Sequence, residues 1–171
     1  MNRLKNCKVY LGPVTGSILI EDVEGCIFVL ASHQIRIHLA KRCDFYLRVR
    51  SRPIIEDSIA VRFAPYCLDY EGIEMDLEKA GLSEETGNWE NVDDFKWLRA
   101  VQSPNWCILP ENERVGKAES RIKLLEYLKM MSQGHFIVPY IVHWGRNTNI
   151  ISKLVSRLNF FRACYPYRSV A

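Results

Sequence analysis

A repeat with a period of 17 to 19 residues constrains the fold of this 171-residue chain more than any other feature. Three segments begin with a cysteine and continue with alternating apolar side chains; these cysteines are Cys7, Cys26 and Cys43. Each segment is followed by a second strand-like run, at residues 17–20, 34–37 and 53–55, and a further run at residues 60–63 closes the series. Such a period is typical of a parallel β-helix, in which each coil stacks on the previous one. Parallel strands of an α/β fold need a helix between them, and the sequence predicts none there.

The six cysteines are expected to be reduced and structural. Cys7, Cys26 and Cys43 share the parity of the apolar residues that follow them, so they should face the core and stack as small hydrophobic side chains. The chain has no Cys-x-x-Cys pair of the kind that zinc sites use, so we expect no metal. Unpaired cysteines without a secretory signal peptide indicate a reducing, cytoplasmic location. The longest apolar run, at residues 136–144, is too short to span a membrane.

Charge divides the chain into two parts. Residues 1–116 carry 14 basic and 18 acidic side chains, a net charge of −4, whereas residues 117–171 carry 9 basic and 2 acidic side chains, a net charge of +7. We therefore expect one β-helix domain with its extension at residues 1–116. Residues 117–171 are expected to be an irregular basic tail, for which three alternatives stay open: a disordered segment, an element that covers an edge of the β-helix, or an aberrant transcript end.

Three arginines are expected to project from the predicted β-helix. Side chains of a strand alternate between its two faces, so Arg36 points outward if Ile35 and Ile37 point inward. Arg48 and Arg50 show the same alternation on the next coil. A planar, permanently charged guanidinium suits carboxylate and phosphate groups, so we predict a partner-binding surface, with a solvated sheet face as the alternative. Nucleic acid is disfavoured, because this part of the chain is net negative and no run of stacking aromatic residues accompanies the arginines.

The residues that follow the strand-like runs predict a short helical and loop extension. Residues 72–81 have acidic side chains early and a glycine at the end, as helix dipoles and C-caps favour. Trp89, Trp97 and Trp106 lie in short loop-like segments and are expected to clamp the extension onto the side of the β-helix. Phe95 stands among them and is a candidate for an exposed contact.

Six motifs in a common order and spacing resemble the C-terminal domain of the tubulin-binding cofactor C family over residues 3–115. They are residues 12–17, 34–38, 53–57, 63–66, 91–95 and 103–110. The resemblance implies a right-handed parallel β-helix and a GTPase-activating role. In that family, cofactor C acts with cofactors D and E to trigger GTP hydrolysis by β-tubulin. A related domain in the X-linked retinitis pigmentosa protein activates an Arf-like small GTPase.

The resemblance also assigns roles to individual residues. Arg36 matches the arginine finger of the family, and Glu56 and Phe95 match residues of its GTPase-contacting region. The family often has glutamine three residues before the finger; this chain has His33 there, with Gln34 beside it, and both are expected to contact the partner. Such a protein supplies a group to its partner's active site and is not itself an enzyme. We expect it to bind no nucleotide cofactor, since it has no Gly-x-x-x-x-Gly-Lys-Ser/Thr loop.

Two further expectations concern the surroundings of the finger. If Ile55 stacks on Ile35, Glu56 lies beside Arg36 and can orient it by a charge-assisted hydrogen bond. The resemblance implies that further coils precede the equivalent of Leu4 in full-length relatives.

Two other classes of function stay open. The first is a non-catalytic cytoskeletal binding module, because cyclase-associated proteins bind actin through a similar β-helix without a finger. The second is a β-helix enzyme such as a polysaccharide lyase or an acyltransferase. That class is least favoured, because the sequence predicts no outward cluster of acids with a histidine or lysine base on adjacent coils.

Overall fold

The chain folds into a parallel β-helix of about four turns, as the sequence predicts. The computed structural model describes residues 1–116 and the backbone of residues 142–144. The strands are β1 (Asn2–Lys5), β2 (Lys8–Glu24), β3 (Ile27–Lys41), β4 (Asp44–Val49), β5 (Ile54–Glu56), β6 (Val61–Pro65), β7 (Asp93–Asp94), β8 (Trp106–Ile108) and β9 (Val142–Trp144). One α-helix, α1 (Ile73–Lys79), and two 3-10 turns, Asn88–Glu90 and Glu111–Glu113, lie between or after the later strands.

Each long strand bends and contributes to two faces of the β-helix. The covered face consists of the first parts of β2 and β3, followed by β4, β6 and β8. The open face consists of β1, the second parts of β2 and β3, β5 and β7. Two register shifts in the β2–β3 pairing, after Tyr10 and after Val14, mark the bend between the faces. Bulges of this kind bend a strand without ending it.

Left-handed residues form the corner that leads from the open face to the covered face. Each turn has two of them, three residues apart; they are Arg3 and Asn6, Asp22 and Gly25, Leu39 and Arg42, and Asp57 and Ala60. Their φ angles lie between 48° and 62°. Gly25 is the residue best suited to this region, and a Cβ there would come within 2.5 Å of the Asn6 Oδ1 atom. These corners recur at the period seen in the sequence.

Two side-chain ladders fill the interior of the β-helix. The expected cysteine ladder is confirmed: Cys7, Cys26 and Cys43 are at most 1% exposed. The Cys26 thiol accepts a hydrogen bond from the Cys7 N–H, and the Cys43 thiol accepts one from the Cys26 N–H, both at 3.4 Å. Beside them, three phenylalanines stack with ring centroids 5.1 and 5.6 Å apart; they are Phe28, Phe45 and Phe63. Stacked aromatic residues add attraction beyond the apolar area that they bury.

The extension after β6 packs on the outside of the covered face, as predicted. Helix α1 begins after Gly72 and buries Ile73 and Leu77 against Ala31 of β3. A helix of seven residues is too short to be stable alone, so this packing stabilises it. Residues 66–68 and Leu109 cover a second apolar cluster on the same face.

The three tryptophans of the extension have different environments. Trp89 is 7% exposed and joins the interior cluster, against which Trp106 also packs. Trp97 is half-buried, and its indole N–H donates to the Val101 carbonyl at 2.8 Å, so it orders its own loop. The predicted clamp is therefore formed by Trp89 and Trp106.

Within the predicted tail, the structure describes only β9. It pairs antiparallel with the start of β2, with Val9 opposite His143. The other residues of 117–171 lie outside the described part, so the predicted boundary at residue 116 stays a prediction. Where the chain is described, its helices are too short and too polar to cross a bilayer.

Candidate functional site

The backbone of Arg36 is fixed in the sheet, whereas its side chain extends into solvent. Its neighbours on β3, Ile35 and Ile37, are fully buried in the interior, so the Arg36 side chain points away from the core and is exposed. Pairing with β2 on one side and β5 on the other fixes the backbone. Within residues 1–116, its guanidinium makes no ion pair or hydrogen bond. The strand therefore presents an uncompensated cation on the open face.

The residues beside Arg36 are apolar. In the parallel pairing, Leu19 lies on one side of it and Ile54 on the other. Leu19 is 50% exposed, whereas Ile54 is 9% exposed. Gln34 and His38 lie two residues away along β3, so they point to the same side. Both are half-buried.

Glu56 does not lie beside Arg36, so the expected register was wrong by two residues. Ile55 pairs with Ile37 rather than with Ile35, and this places Glu56 opposite His38. The spacing between paired residues is 17 from β3 to β4 and 18 from β3 to β5, because the loop before β5 adds a residue. The expected spacing of 20 exceeds both values.

Glu56 belongs instead to a cluster of charged side chains at the surface, in which Glu56 and His38 are half-buried. Its carboxylate lies 3.5 Å from His38 Nε2 and 3.4 Å from Lys96 Nζ. Lys96 Nζ also lies 3.7 Å from the Asp57 carboxylate, and Asp57 and then Glu56 raise the pKa of Lys96. The expectation that no acids would meet a histidine or lysine on adjacent coils was therefore wrong. The groups pair with one another, so the carboxylate of Glu56 already has the ammonium group of Lys96 as a partner.

Phe95 extends the open face by one coil. Its N–H donates to the Ile55 carbonyl at 3.0 Å, so it follows β7 in the parallel pairing and lies next to Glu56. The side chain is 56% exposed. Arg36, Glu56 and Phe95, which the sequence predicts as site residues, thus lie on the same face.

His33 anchors the extension. Its Nε2 lies 2.6 Å from the Ala80 carbonyl, just after α1. A carbonyl oxygen can only accept, so Nε2 carries the proton and donates. The His33 carbonyl accepts from the N–H groups of Arg50 and Ser51. This side chain ties β3 to the residue that follows α1. A contact between His33 and a partner stays a prediction.

Arg48 and Arg50 do not share a surface with Arg36. Arg48 aligns with Ala31 on the covered face. Its side chain is 17% exposed, donates to the Ser83 carbonyl and lies 3.9 Å from the Glu85 carboxylate. Arg50 follows β4 and is exposed, and its Nη1 lies beside Gly81 of the extension, 3.8 Å from where a Cβ of that glycine would stand. Parity alone predicted that these side chains point outward, but it could not reveal that the β-helix has two outward faces.

Asp94 is a candidate positioning residue that the sequence analysis did not single out. Its carboxylate accepts hydrogen bonds from Ser103 Oγ at 2.6 Å and Asn105 Nδ2 at 2.7 Å. These contacts join two motifs that are about ten residues apart, and they fix the loop that follows Phe95. The signal that could have indicated it is an aspartate in one family motif with a serine and an asparagine in the next motif, 9 and 11 residues later.

Comparisons with known proteins agree with this architecture. Residues 1–95 match the family model of tubulin binding cofactor C. The tubulin-folding cofactor C of Arabidopsis thaliana is 76% identical over 115 residues, which cover 67% of this chain and 33% of that protein. The tubulin-specific chaperone C of Mus musculus is 47% identical over 113 residues, which cover 66% and 33% respectively.

A solved structure supports the same fold. Tubulin binding cofactor C from Leishmania major superposes with a TM-score of 0.59 at 27% identity, over 66% of this chain and 81% of that chain. The chain spans about a third of the length of the curated relatives it matches. Because the family model matches more than half of its residues, the chain belongs to the tubulin binding cofactor C family.

Proposed function

We propose that this chain acts in tubulin folding as a GTPase activator that inserts Arg36 into the nucleotide site of β-tubulin, in concert with cofactors D and E. The observation that carries the proposal is the free guanidinium of Arg36 on a rigid strand. Family membership supports the connection with tubulin. The chain contributes one cation to a reaction whose nucleotide and water belong to the partner.

The chemistry of phosphoryl transfer explains why a free arginine is useful. GTP hydrolysis develops negative charge on the oxygens around the β- and γ-phosphates, and a cation supplied in trans stabilises that charge. In other GTPases such a finger accelerates hydrolysis by about 10³ to 10⁵. A guanidinium committed to a carboxylate within its own chain would have to break that bond first, and Arg36 has no such bond within residues 1–116.

The surroundings of Arg36 suit a site from which water is excluded. Leu19 and Ile54 flank the arginine, so a docked partner covers apolar side chains around it. Electrostatic interactions strengthen when the local dielectric constant falls. The carboxylate of Glu56 is engaged by His38 and Lys96, and that of Asp93 by Arg52, so neither ties down Arg36.

A rate measurement tests the proposal. Tubulin with cofactors D and E is incubated with GTP, with and without the full 171-residue chain, and phosphate release is followed. We expect stimulation that saturates with the concentration of the chain. Unchanged hydrolysis, with the chain bound to tubulin, would favour the non-catalytic binding module. A parallel assay with an Arf-like small GTPase distinguishes the two candidate targets.

A further inference from the structure

The loop between β7 and β8 exposes three large apolar side chains to water. Leu98 is 92% exposed, Val101 is 66% exposed and Phe95 is 56% exposed. Single exposed apolar residues are common on protein surfaces, but contiguous ones mark interaction sites. Here three of them lie within seven residues of the chain. Burying them against a partner would recover apolar area that the fold leaves in water.

The same loop is held in one conformation from its base. The Asp94 carboxylate accepts from Lys96 N–H at 3.1 Å, and from the side chains of Ser103 and Asn105 on the far side of the loop. The indole of Trp97 donates to the Val101 carbonyl across the loop. A loop that is already ordered loses less conformational entropy when it binds. Exposed apolar side chains on an ordered loop therefore fit a binding role.

The loop also continues the open face that carries Arg36. An open groove runs from Arg52 and Asp93, beside β5 and β7, to Trp97 and Leu98. Phe95 lines this groove and also borders Glu56 on the open face. The Arg99 guanidinium lies 4.9 Å from the Trp97 ring centroid, which places a cation near the loop. A partner large enough to receive Arg36 thus meets a groove of mixed character as it docks, with exposed apolar side chains on the loop and both basic and acidic side chains along its lining.

We propose that residues 97–102, which we call the apolar loop, form a second contact for the GTPase that receives Arg36, beyond the contact at Phe95 that the family resemblance implies. In this contact Leu98 and Val101 pack against an apolar surface next to the partner's nucleotide site. Asp94 acts as a positioning residue, because it holds the loop and touches neither nucleotide nor water. The inference rests on the proposed function and adds to it. Arg36 determines the maximal rate of GTP hydrolysis, and the apolar loop determines the affinity for the GTPase.

The test separates affinity from rate in the full chain. A variant with Leu98→Ser and Val101→Ser should raise the concentration for half-maximal stimulation about tenfold or more, as loss of buried apolar anchors does at interfaces. Its maximal rate should stay close to native. Met75→Ser is the matched control, because Met75 is 57% exposed on α1, over the covered face, and should change neither quantity.

Asp94→Asn tests the positioning role. The amide has one accepting oxygen instead of two, so it cannot accept both from Lys96 N–H at one position and from Ser103 and Asn105 at the other, and the bonds at one position are lost. We expect faster hydrogen exchange in residues 95–102 and a higher half-maximal concentration, with an unchanged maximal rate. A fall in maximal rate at unchanged half-maximal concentration would contradict this role.

A direct measurement of binding to GTP-loaded tubulin distinguishes a failure of the apolar-loop contact from a failure of the proposed function. If the Leu98 and Val101 variant binds tubulin as tightly as the native chain, the apolar loop is not a contact, whatever Arg36 does. If the native chain binds but does not stimulate hydrolysis, the proposed function fails. Binding weakened by the loop variant would then still support the contact.

Discussion

Arg36 of β3 lies opposite Ile54 of β5, and Glu56 lies opposite His38. The cation at the centre of the open face is therefore flanked by apolar side chains across the sheet, while the nearest acid of the next coil bonds elsewhere. The sequence predicted that Glu56 orients Arg36, but in the structure Glu56 bonds to His38 and Lys96. Arg36 is available to a partner because its own chain does not hold it.

The first prediction concerns that cation. Arg36→Ala should abolish stimulated GTP hydrolysis and leave the melting temperature near native, because an exposed strand side chain contributes little to the core. Arg36→Lys should also fail, since an ammonium cannot reproduce the planar fork of the guanidinium. Lys79→Ala on α1 removes one exposed positive charge from the covered side and is the control. Native-like stimulation by Arg36→Ala would exclude the finger mechanism.

The second prediction concerns Glu56. Because its carboxylate bonds to His38 and Lys96, Glu56→Gln should not disturb the orientation of Arg36. We expect a higher half-maximal concentration of the chain and a maximal rate of hydrolysis close to native. Steady-state rates measured over a range of chain concentrations give both values. A large fall in maximal rate at unchanged half-maximal concentration would mean that Glu56 acts on the finger after all.

The repeat made the fold predictable from the sequence. A cysteine or an apolar residue recurs at the start of each coil, and the interior ladders of the structure are its direct consequence. The register on the open face could also have been predicted, from the spacing of Phe45 and Phe63 rather than from an assumed pairing of Ile35 with Ile55. Phe45 and Phe63 are 18 residues apart and stack in neighbouring coils, and the same spacing sets Ile37 on Ile55.

Contacts between distant segments could not be predicted in this way. His33 meets the Ala80 carbonyl across 47 residues, and Arg48 meets Ser83 across 35. Both bonds depend on how the extension folds back over the covered face, which no local period encodes. Alternation along a strand says that a side chain points outward, but not which face it lies on or what covers it.

The third prediction concerns the aromatic ladder. Phe45 stacks on Phe28 and on Phe63 and is fully buried, so Phe45→Ala should reduce the free energy of unfolding by about 3–5 kcal/mol. Phe95→Ala is the matched control, because its ring is 56% exposed and its loss should cost less than about 0.5 kcal/mol. Urea unfolding of both variants gives the comparison. Similar losses in the two would mean that the ladder does not support the core.

The fourth prediction concerns alkaline pH. Burial raises the pKa of Tyr66 above its usual value of 10.0, and the hydroxyl donates to the Leu11 carbonyl at 3.0 Å. Burial also raises the pKa of Tyr46. The unfolded chain therefore loses these protons first. The stability that the neutral phenols contribute is complete below about pH 10 and is lost as the pH rises further.

Each such tyrosine should lower the free energy of unfolding by up to about 1.4 kcal/mol per pH unit in that window. Unfolding measured between pH 8 and pH 11 gives the slope. Tyr66→Phe removes one titrating group, so its slope should be smaller than that of the native chain although its stability at pH 8 is lower. An equal slope in both proteins would show that Tyr66 does not titrate on unfolding.

The last prediction decides whether Arg48 is a partner contact or an anchor. Its guanidinium donates to the Ser83 carbonyl and is 17% exposed, so Arg48→Ala should free the segment after α1 and cost about 1–3 kcal/mol of stability. Hydrogen exchange should accelerate in residues 80–88. Arg50→Ala is the control, because Asn88 bonds to the Arg50 backbone carbonyl, which that substitution keeps. If Arg48→Ala instead weakened tubulin binding and left exchange in this segment unchanged, Arg48 would be a contact, as the sequence predicted.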